Sequence, residues 1–283
     1  MSPELLGVVL ALLASLSYES SYVLMTQQSR DVGRCGQPGG RFLVSLVRRP
    51  LWLLAIAIDG AGIVLELFAL REASLIVVQP LMSVGLIGLV FAAAVFLGER
   101  IDRGTVLAAA AVAAGVVCVI IAAPSDAGAV RLGHPVASIV VLGVLALVVI
   151  SAYVGPGHGA PWRSVSAAAA GDTLVAISGN QIARTWVQRP LLAIAWTGAV
   201  AVSGTGSVTA ESAALQQLPA SRVGPIVSSV GAVLPVVLLA VLSPQRISLS
   251  LDKATLLAVG LVLTGVGAYR LAVTAGSGPL AAT

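Results

Sequence analysis

The sequence predicts an all-α membrane protein with about nine transmembrane helices, arranged as two inverted repeats on either side of one connecting helix. Composition, the length of the apolar runs and an internal duplication lead to this fold class. Of the 283 residues, 58% are hydrophobic and only 10% are charged, whereas soluble domains carry about 25% charged residues. With so few charges the chain could not cover its surface in water, and the lipid bilayer is its predicted surrounding.

Nine apolar runs are long enough to cross about 30 Å of hydrocarbon as helices that rise about 1.5 Å per residue. The longest connection, residues 29–50, leaves no room for a soluble domain, so residues 1–283 form a single membrane domain. The nine helices are predicted near residues 4–28, 51–70, 73–97, 104–122, 135–154, 164–185, 190–213, 217–242 and 253–273.

The two halves of the chain share a spaced pattern. Ala69-Leu70 stands eleven residues before Pro80, and Ala214-Leu215 stands eleven before Pro225; Glu66 matches Glu211 at the same offset of 145 residues. Residues 1–122 form the first repeat, 135–154 the connector helix and 164–273 the second repeat. Four helices and one connector make an odd number of crossings. The second half then enters from the opposite face, as in many secondary transporters.

Orientation follows from the connection over residues 29–50, which holds five arginines against one acid, Asp31. Cytoplasmic connections carry the excess of basic residues. We therefore expect an external N-terminus, a cytoplasmic C-terminus and a location in the cell membrane.

Acidic residues within the apolar helices are the predicted functional groups, because an ionisable side chain in the membrane costs several kcal/mol unless it is paired or hydrated. In the first helix, Tyr18, Glu19 and Tyr22 belong to a polar stripe that would face the interior. In the second, Asp59 and Glu66 are seven residues apart and share one face. We expect Glu19 and Asp59 to form the core of the site.

Later helices add polar groups to this set. Prolines within helices free a backbone carbonyl one turn earlier, so Pro80 and Pro225 are predicted to mark corresponding helix bends. The predicted substrate-binding residues are Glu19, Asp59, Glu66, Tyr18, Tyr22, Gln79, Glu211, Asp172 and Asn180. A structural reading stays open, in which Glu66 or Glu211 reaches the headgroup region or pairs with Arg71 or Arg222.

Catalytic and cofactor motifs are absent from the sequence pattern. The two histidines, His134 and His158, lie in predicted connections without a carboxylate or cysteine partner, and the two cysteines, Cys35 and Cys118, form no metal-binding motif. Most basic residues lie in connections, where they set topology rather than bind nucleic acid. We therefore expect no enzyme activity, no cofactor and no nucleic-acid partner. Metal binding is left open, and a second copy of the chain is a candidate partner.

Short motifs carry a resemblance to a known family. The first half contains Phe68-Ala69-Leu70, Gln79-Pro80-Leu81 and Leu97-Gly98-Glu99-Arg100, and the second half contains Ala214-Leu215, Pro219-Ala220-Ser221 and Pro225. This order resembles the drug/metabolite transporter superfamily, in its EamA-like form. The nine-helix layout and the serine-rich segment from Ser15 to Ser21 are similar to NIPA-type magnesium transporters. The resemblance implies export or uptake of a small solute by alternating access.

Together these observations predict a secondary transporter of a small polar solute, which the acids indicate is cationic. Desolvation disfavours an isolated carboxylate, so a cation and a proton would compete for Glu19 and Asp59. A magnesium transporter and a non-transporting membrane scaffold are the alternatives.

Overall fold

The computed structural model of the protein describes residues 3–30, 40–82, 84–85, 88, 103–122, 135–153, 161–218, 220–242 and 250–274. Within these residues every regular element is an α-helix and there is no strand. The helices are α1 (Pro3–Arg30), α2 (Gly40–Val47), α3 (Pro50–Glu72), α4 (Leu75–Met82), α5 (Arg103–Ala122), α6 (Pro135–Ser151), α7 (Pro161–Thr185), α8 (Pro190–Leu215), α9 (Ala220–Leu242) and α10 (Leu251–Thr274).

Helix positions agree with the sequence prediction to within one helical turn wherever the structure describes a whole predicted segment. Of the predicted segment 73–97, α4 covers the first part, and most of the residues after Met82 lie outside the described ranges. Five helices begin at a proline, where its missing N–H is not needed and its fixed φ suits the first turn. Among the described residues, four helices are long and apolar enough to cross a membrane by length and composition: α1, α3, α8 and α10.

The connection predicted over residues 29–50 is wrong in part, since it contains the short helix α2. Phe42 and Leu46, one turn apart on α2, are buried against Met25 of α1 and Trp52 of α3. The arginines around this segment suggested a solvated loop. Instead, Phe42 and Leu46 pack the segment against the helix bundle, where they contact α1, α3 and α8.

α7 is the central helix of the bundle. It contacts α3, α6, α8 and α9, and most of its residues from Ser164 to Ile182 are buried. It is not one of the four described helices that are long and apolar enough to span a membrane. Its alanines, serines and polar amides are shielded by neighbouring helices, so it does not need the apolar surface that a lipid-facing helix requires.

Small residues allow α5 and α10 to pack with their backbones close together. A Cβ atom built on Gly115 would lie 2.7 Å from the carbonyl oxygen of Gly260, and one on Gly267 would lie 2.8 Å from that of Ala108. Real side chains do not fit at such distances. This contact is therefore the small-residue packing expected where helices are not driven together by the hydrophobic effect.

The other helices pack in pairs around the centre. α1 packs along α3 and α7 along α8, while α4 lies against α9. Large apolar side chains on α5, α6 and α8 point outward; Leu107, Ile139 and Val202 are among the most exposed. Pro80 lies within α4 and Pro225 within α9; the bend at each stays a prediction.

Candidate functional site

A cavity of about 130 Å³ lies between α1, α3, α4, α7, α8 and α9. Eight of the nine residues predicted from the sequence to bind substrate line it, so the structure brings together predicted side chains from five of these helices. These eight are Tyr18, Glu19, Tyr22, Asp59, Glu66, Gln79, Asp172 and Glu211.

Asn180 is the predicted residue that does not line the cavity. It lies on α7 about two turns beyond Asp172 and is 1% exposed. The sequence analysis grouped it with Asp172 because both are polar residues of one predicted helix, but its side chain is enclosed by the packed helices instead.

Glu66 is held at the cavity wall by two donors. The hydroxyl group of Tyr18 donates a hydrogen bond to Oε2 at 2.7 Å, and Nε2 of Gln79 donates one to Oε1 at 2.8 Å. The side chain is 7% exposed, whereas Arg71 at the end of α3 is exposed. Among the described residues Glu66 therefore pairs with a tyrosine and an amide rather than with Arg71.

The ring of Tyr18 is positioned by a glycine. A Cβ atom built on Gly62 would lie 3.0 Å from Cε1 of Tyr18, so the ring rests directly on the α3 backbone. Because Gly62 is one turn before Glu66 on the same helix, this contact directs the Tyr18 hydroxyl group to the carboxylate. The three residues form one rigid unit joining α1 to α3.

Asp172 has one serine as its partner. Oγ of Ser207 lies 2.5 Å from Oδ1 of Asp172 and 2.9 Å from the carbonyl oxygen of Ala168. A hydroxyl group has one proton and donates to one acceptor at a time. Gly171 packs against Ser207, since a Cβ atom there would lie 2.7 Å from the serine Cβ atom. α7 and α8 are therefore in close contact beside the acid.

The other three acids differ in this respect. Glu19, Asp59 and Glu211 accept no hydrogen bond from any residue that the structure describes. Beside Glu19, Ser15 donates a hydrogen bond to the carbonyl oxygen of Met82 at 2.8 Å. The backbone of Gly85 approaches so closely that a Cβ atom there would lie 2.9 Å from Cγ of Glu19.

The cavity is strongly acidic. Five carboxyl groups line it, and its described lining includes no lysine, arginine or histidine. The charges of Asp172, Asp59 and Glu19 are near enough to act on Glu211, so the acids repel one another when ionised. The side chain of Arg222, which the sequence made a candidate partner of Glu211, lies outside the described part of the structure.

The described residues of the cavity do not form a ready-made metal site. Within the described ranges, no group of three or more histidine, cysteine, aspartate or glutamate side chains is arranged to hold a metal ion. The acids line the cavity as separate groups from several helices rather than as one chelating cluster.

A buried apolar cluster adjoins the cavity through Met25. Met25 lines the cavity and also belongs to the buried cluster of Phe42, Leu46, Trp52, Ala55 and Ala213. We call this cluster, including Met25, the apolar seal. It lies where α1 ends and α3 begins, with α2 packed over it.

Sequence reasoning missed the apolar part of the lining. Met25, Ile63, Met82, Val175 and Val208 face the cavity. Nothing in an apolar helix distinguishes such residues from those that face lipid, so the sequence contained no signal for them. Gly85 was missed for a related reason, since its role depends on the approach of another helix.

No protein-family model, curated protein or solved structure matches this chain. The resemblance to drug/metabolite transporters therefore stays a prediction from short motifs.

Proposed function

We propose that the protein is a secondary transporter that moves a small cationic solute across the cell membrane by alternating access. The observation that carries this proposal is the cavity lined by five carboxyl groups with no described basic side chain among them. An unpaired carboxylate in a membrane interior is energetically costly. Binding of a cation would neutralise the charge and so account for the presence of these groups.

The helix contacts support two related halves. α1 packs on α3 as α7 packs on α8, and contacts between the halves also come in matching pairs, with α1 touching α8 and α3 touching α7. The first helix of each half carries an acid, Glu19 or Asp172, and the second carries Glu66 or Glu211. We propose nine spans in two inverted repeats, with the cavity between them as the alternating-access site.

Exchange with protons is the proposed coupling. An unpaired carboxyl group in this cavity is stabilised either by its own proton or by the charge of a solute. Loading the solute would release a proton, and releasing the solute would take one up. Asp59 and Glu19 are the proposed core. Like Glu211 they have no described hydrogen-bond donor, and unlike Glu211 they lie near the middle of their predicted spans.

The Asp59→Asn variant tests this mechanism, since asparagine keeps the size of the side chain but does not titrate. Tyr18, Glu19, Glu66, Asp172 and Glu211 remain around it and stay titratable. We expect proton-coupled flux in proteoliposomes to fall about tenfold or more, because a loss of ~1.4 kcal/mol in the loaded site already gives a factor of ten. Asp252→Asn, an exposed site on α10, is the matched control and should transport normally.

The solute is found first by thermal stabilisation with a panel of cations, because a ligand that binds the folded state raises its apparent stability. Wild-type flux with unchanged pH dependence in Asp59→Asn and in Glu19→Gln would remove the acid pair from the mechanism. A panel in which no solute binds and none crosses would favour a membrane scaffold.

A further inference from the structure

The five cavity acids fall into two classes. Glu66 and Asp172 each accept a hydrogen bond from a neighbouring side chain, at 2.7 and 2.8 Å for Glu66 and at 2.5 Å for Asp172. Glu211 is only 8% exposed and lines the cavity, yet it accepts no hydrogen bond from the described residues. Glu19 and Asp59 share this property.

We propose that the cavity binds a small protonated alkylamine, whose N–H groups donate to Glu211, Glu19 and Asp59. This inference rests on the proposed transport of cations and adds the chemical class of the solute. The three acids come from three different helices, α1, α3 and α8. A cation with several N–H donors can satisfy them together, because an ammonium group presents three donors in different directions.

The lack of described hydrogen-bond donors to Glu211, Glu19 and Asp59 favours a solute with N–H groups over other cations. A buried acceptor without a hydrogen bond is destabilising, and charge-assisted hydrogen bonds are about twice as strong as neutral ones. A quaternary ammonium ion supplies charge but no donor. A divalent metal ion needs several ligands in one arrangement, and no such arrangement occurs among the described residues.

Size and lining indicate a short alkyl chain. The cavity of about 130 Å³ is somewhat smaller than the roughly 150 Å³ cavity that is known to hold benzene, so a solute of about five heavy atoms would fill it. Ile63, Val175 and Val208 provide apolar wall beside the acids. An ammonium group with a short aliphatic chain matches both kinds of surface.

Three isomeric cations test the proposal on the wild-type protein in detergent. Butylammonium, diethylammonium and tetramethylammonium contain the same atoms and carry the same charge, but have three, two and no N–H donors. We expect thermal stabilisation to decrease in that order. The dissociation constant of tetramethylammonium should be about tenfold or more weaker than that of butylammonium, because unmet hydrogen bonds of buried groups are costly.

A variant tests whether butylammonium binds in the cavity. Glu211→Gln keeps the side-chain volume but removes the charge, and should weaken butylammonium binding about tenfold. Glu4→Gln makes the same change at an exposed position in the first turn of α1 and should bind butylammonium as the wild type does. If Glu211→Gln does not fold, the isomer series on the wild-type protein still decides the proposal.

Equal or stronger stabilisation by tetramethylammonium would overturn the amine assignment and leave cation transport standing. Stabilisation by magnesium chloride without any by butylammonium would overturn it in favour of a divalent ion. Absence of stabilisation and of flux with every cation, including magnesium, would overturn both the amine assignment and the proposed function.

Discussion

Identical carboxyl groups in one cavity have different surroundings, and those surroundings set what each can do. Both oxygens of Glu66 accept hydrogen bonds from Tyr18 and Gln79, which makes this acid a fixed part of the wall. Glu211, at the matching place in the second half, has no described donor and is free to contact a solute. At this pair of positions, which the proposed repeats would relate, the residue type is the same but the surroundings differ.

Tyr18→Phe removes one donor from Glu66 without changing the packing of the ring on Gly62. We expect the free energy of unfolding to fall by about 0.6–2 kcal/mol, the range found for interhelical hydrogen bonds within membranes. Thermal or denaturant unfolding in detergent measures this loss. The control is Tyr269→Phe, a site that is 60% exposed on α10; equal stability of the two variants would contradict the assigned role of the hydrogen bond.

Much of the polar lining could be predicted from the sequence, because acids in apolar helices need an internal environment. Glu19 and Asp59 were identified in this way. Their hydrogen-bonding partners could not be, since a partner such as Gln79 comes from another helix and its distance is set by packing. Asn180 shows that a polar residue in a predicted span need not line the cavity, because the packing of the neighbouring helices decides which side chains reach it.

At the scale of elements, close approach of backbones decides the packing of α5 on α10. A Cβ atom on Gly115 would lie 2.5 Å from Oγ1 of Thr264, so alanine there must push the helices apart. We expect Gly115→Ala to lower the free energy of unfolding by about 1–3 kcal/mol, as overpacking does. Thermal unfolding of the purified variant measures it.

Gly143→Ala is the matched control for this prediction. Nothing lies within 4 Å of a Cβ atom at Gly143 on α6, and alanine is the better helix former by roughly 0.5–1 kcal/mol. This variant should be as stable as the wild type or more stable. A destabilised Gly143→Ala together with an unaffected Gly115→Ala would contradict the packing described for these helices.

Most helix positions could be predicted because long apolar runs bounded by prolines and charged connections leave little ambiguity. α2 was not predicted because the arginines dominate the composition of residues 29–50, although the apolar residues Phe42 and Leu46 stand one helical turn apart. Its burial depends on the packing of Phe42 and Leu46 against Trp52 on α3. Tertiary contact, rather than local sequence, stabilises this element.

For the whole molecule, the inverted arrangement predicts that residues 31–39 and 123–134 lie on opposite faces of the membrane, the former in the cytoplasm. In a Cys118→Ala background, native Cys35 reports on the first segment. Adding Ser125→Cys in a Cys35→Ala version reports on the second. We expect an impermeant thiol reagent applied to intact cells to label the second protein and not the first. Labelling of both from the same side would contradict two inverted repeats.

The apolar seal has a consequence for energy conservation. A chain of water molecules running past five acids would let protons leak and dissipate the gradient without moving any solute. Met25, Leu46 and Trp52 belong to this buried apolar cluster, which adjoins the acidic cavity through Met25, and apolar constrictions exclude water. Under the proposed proton coupling, we expect this cluster to keep the leak of protons through the resting protein low.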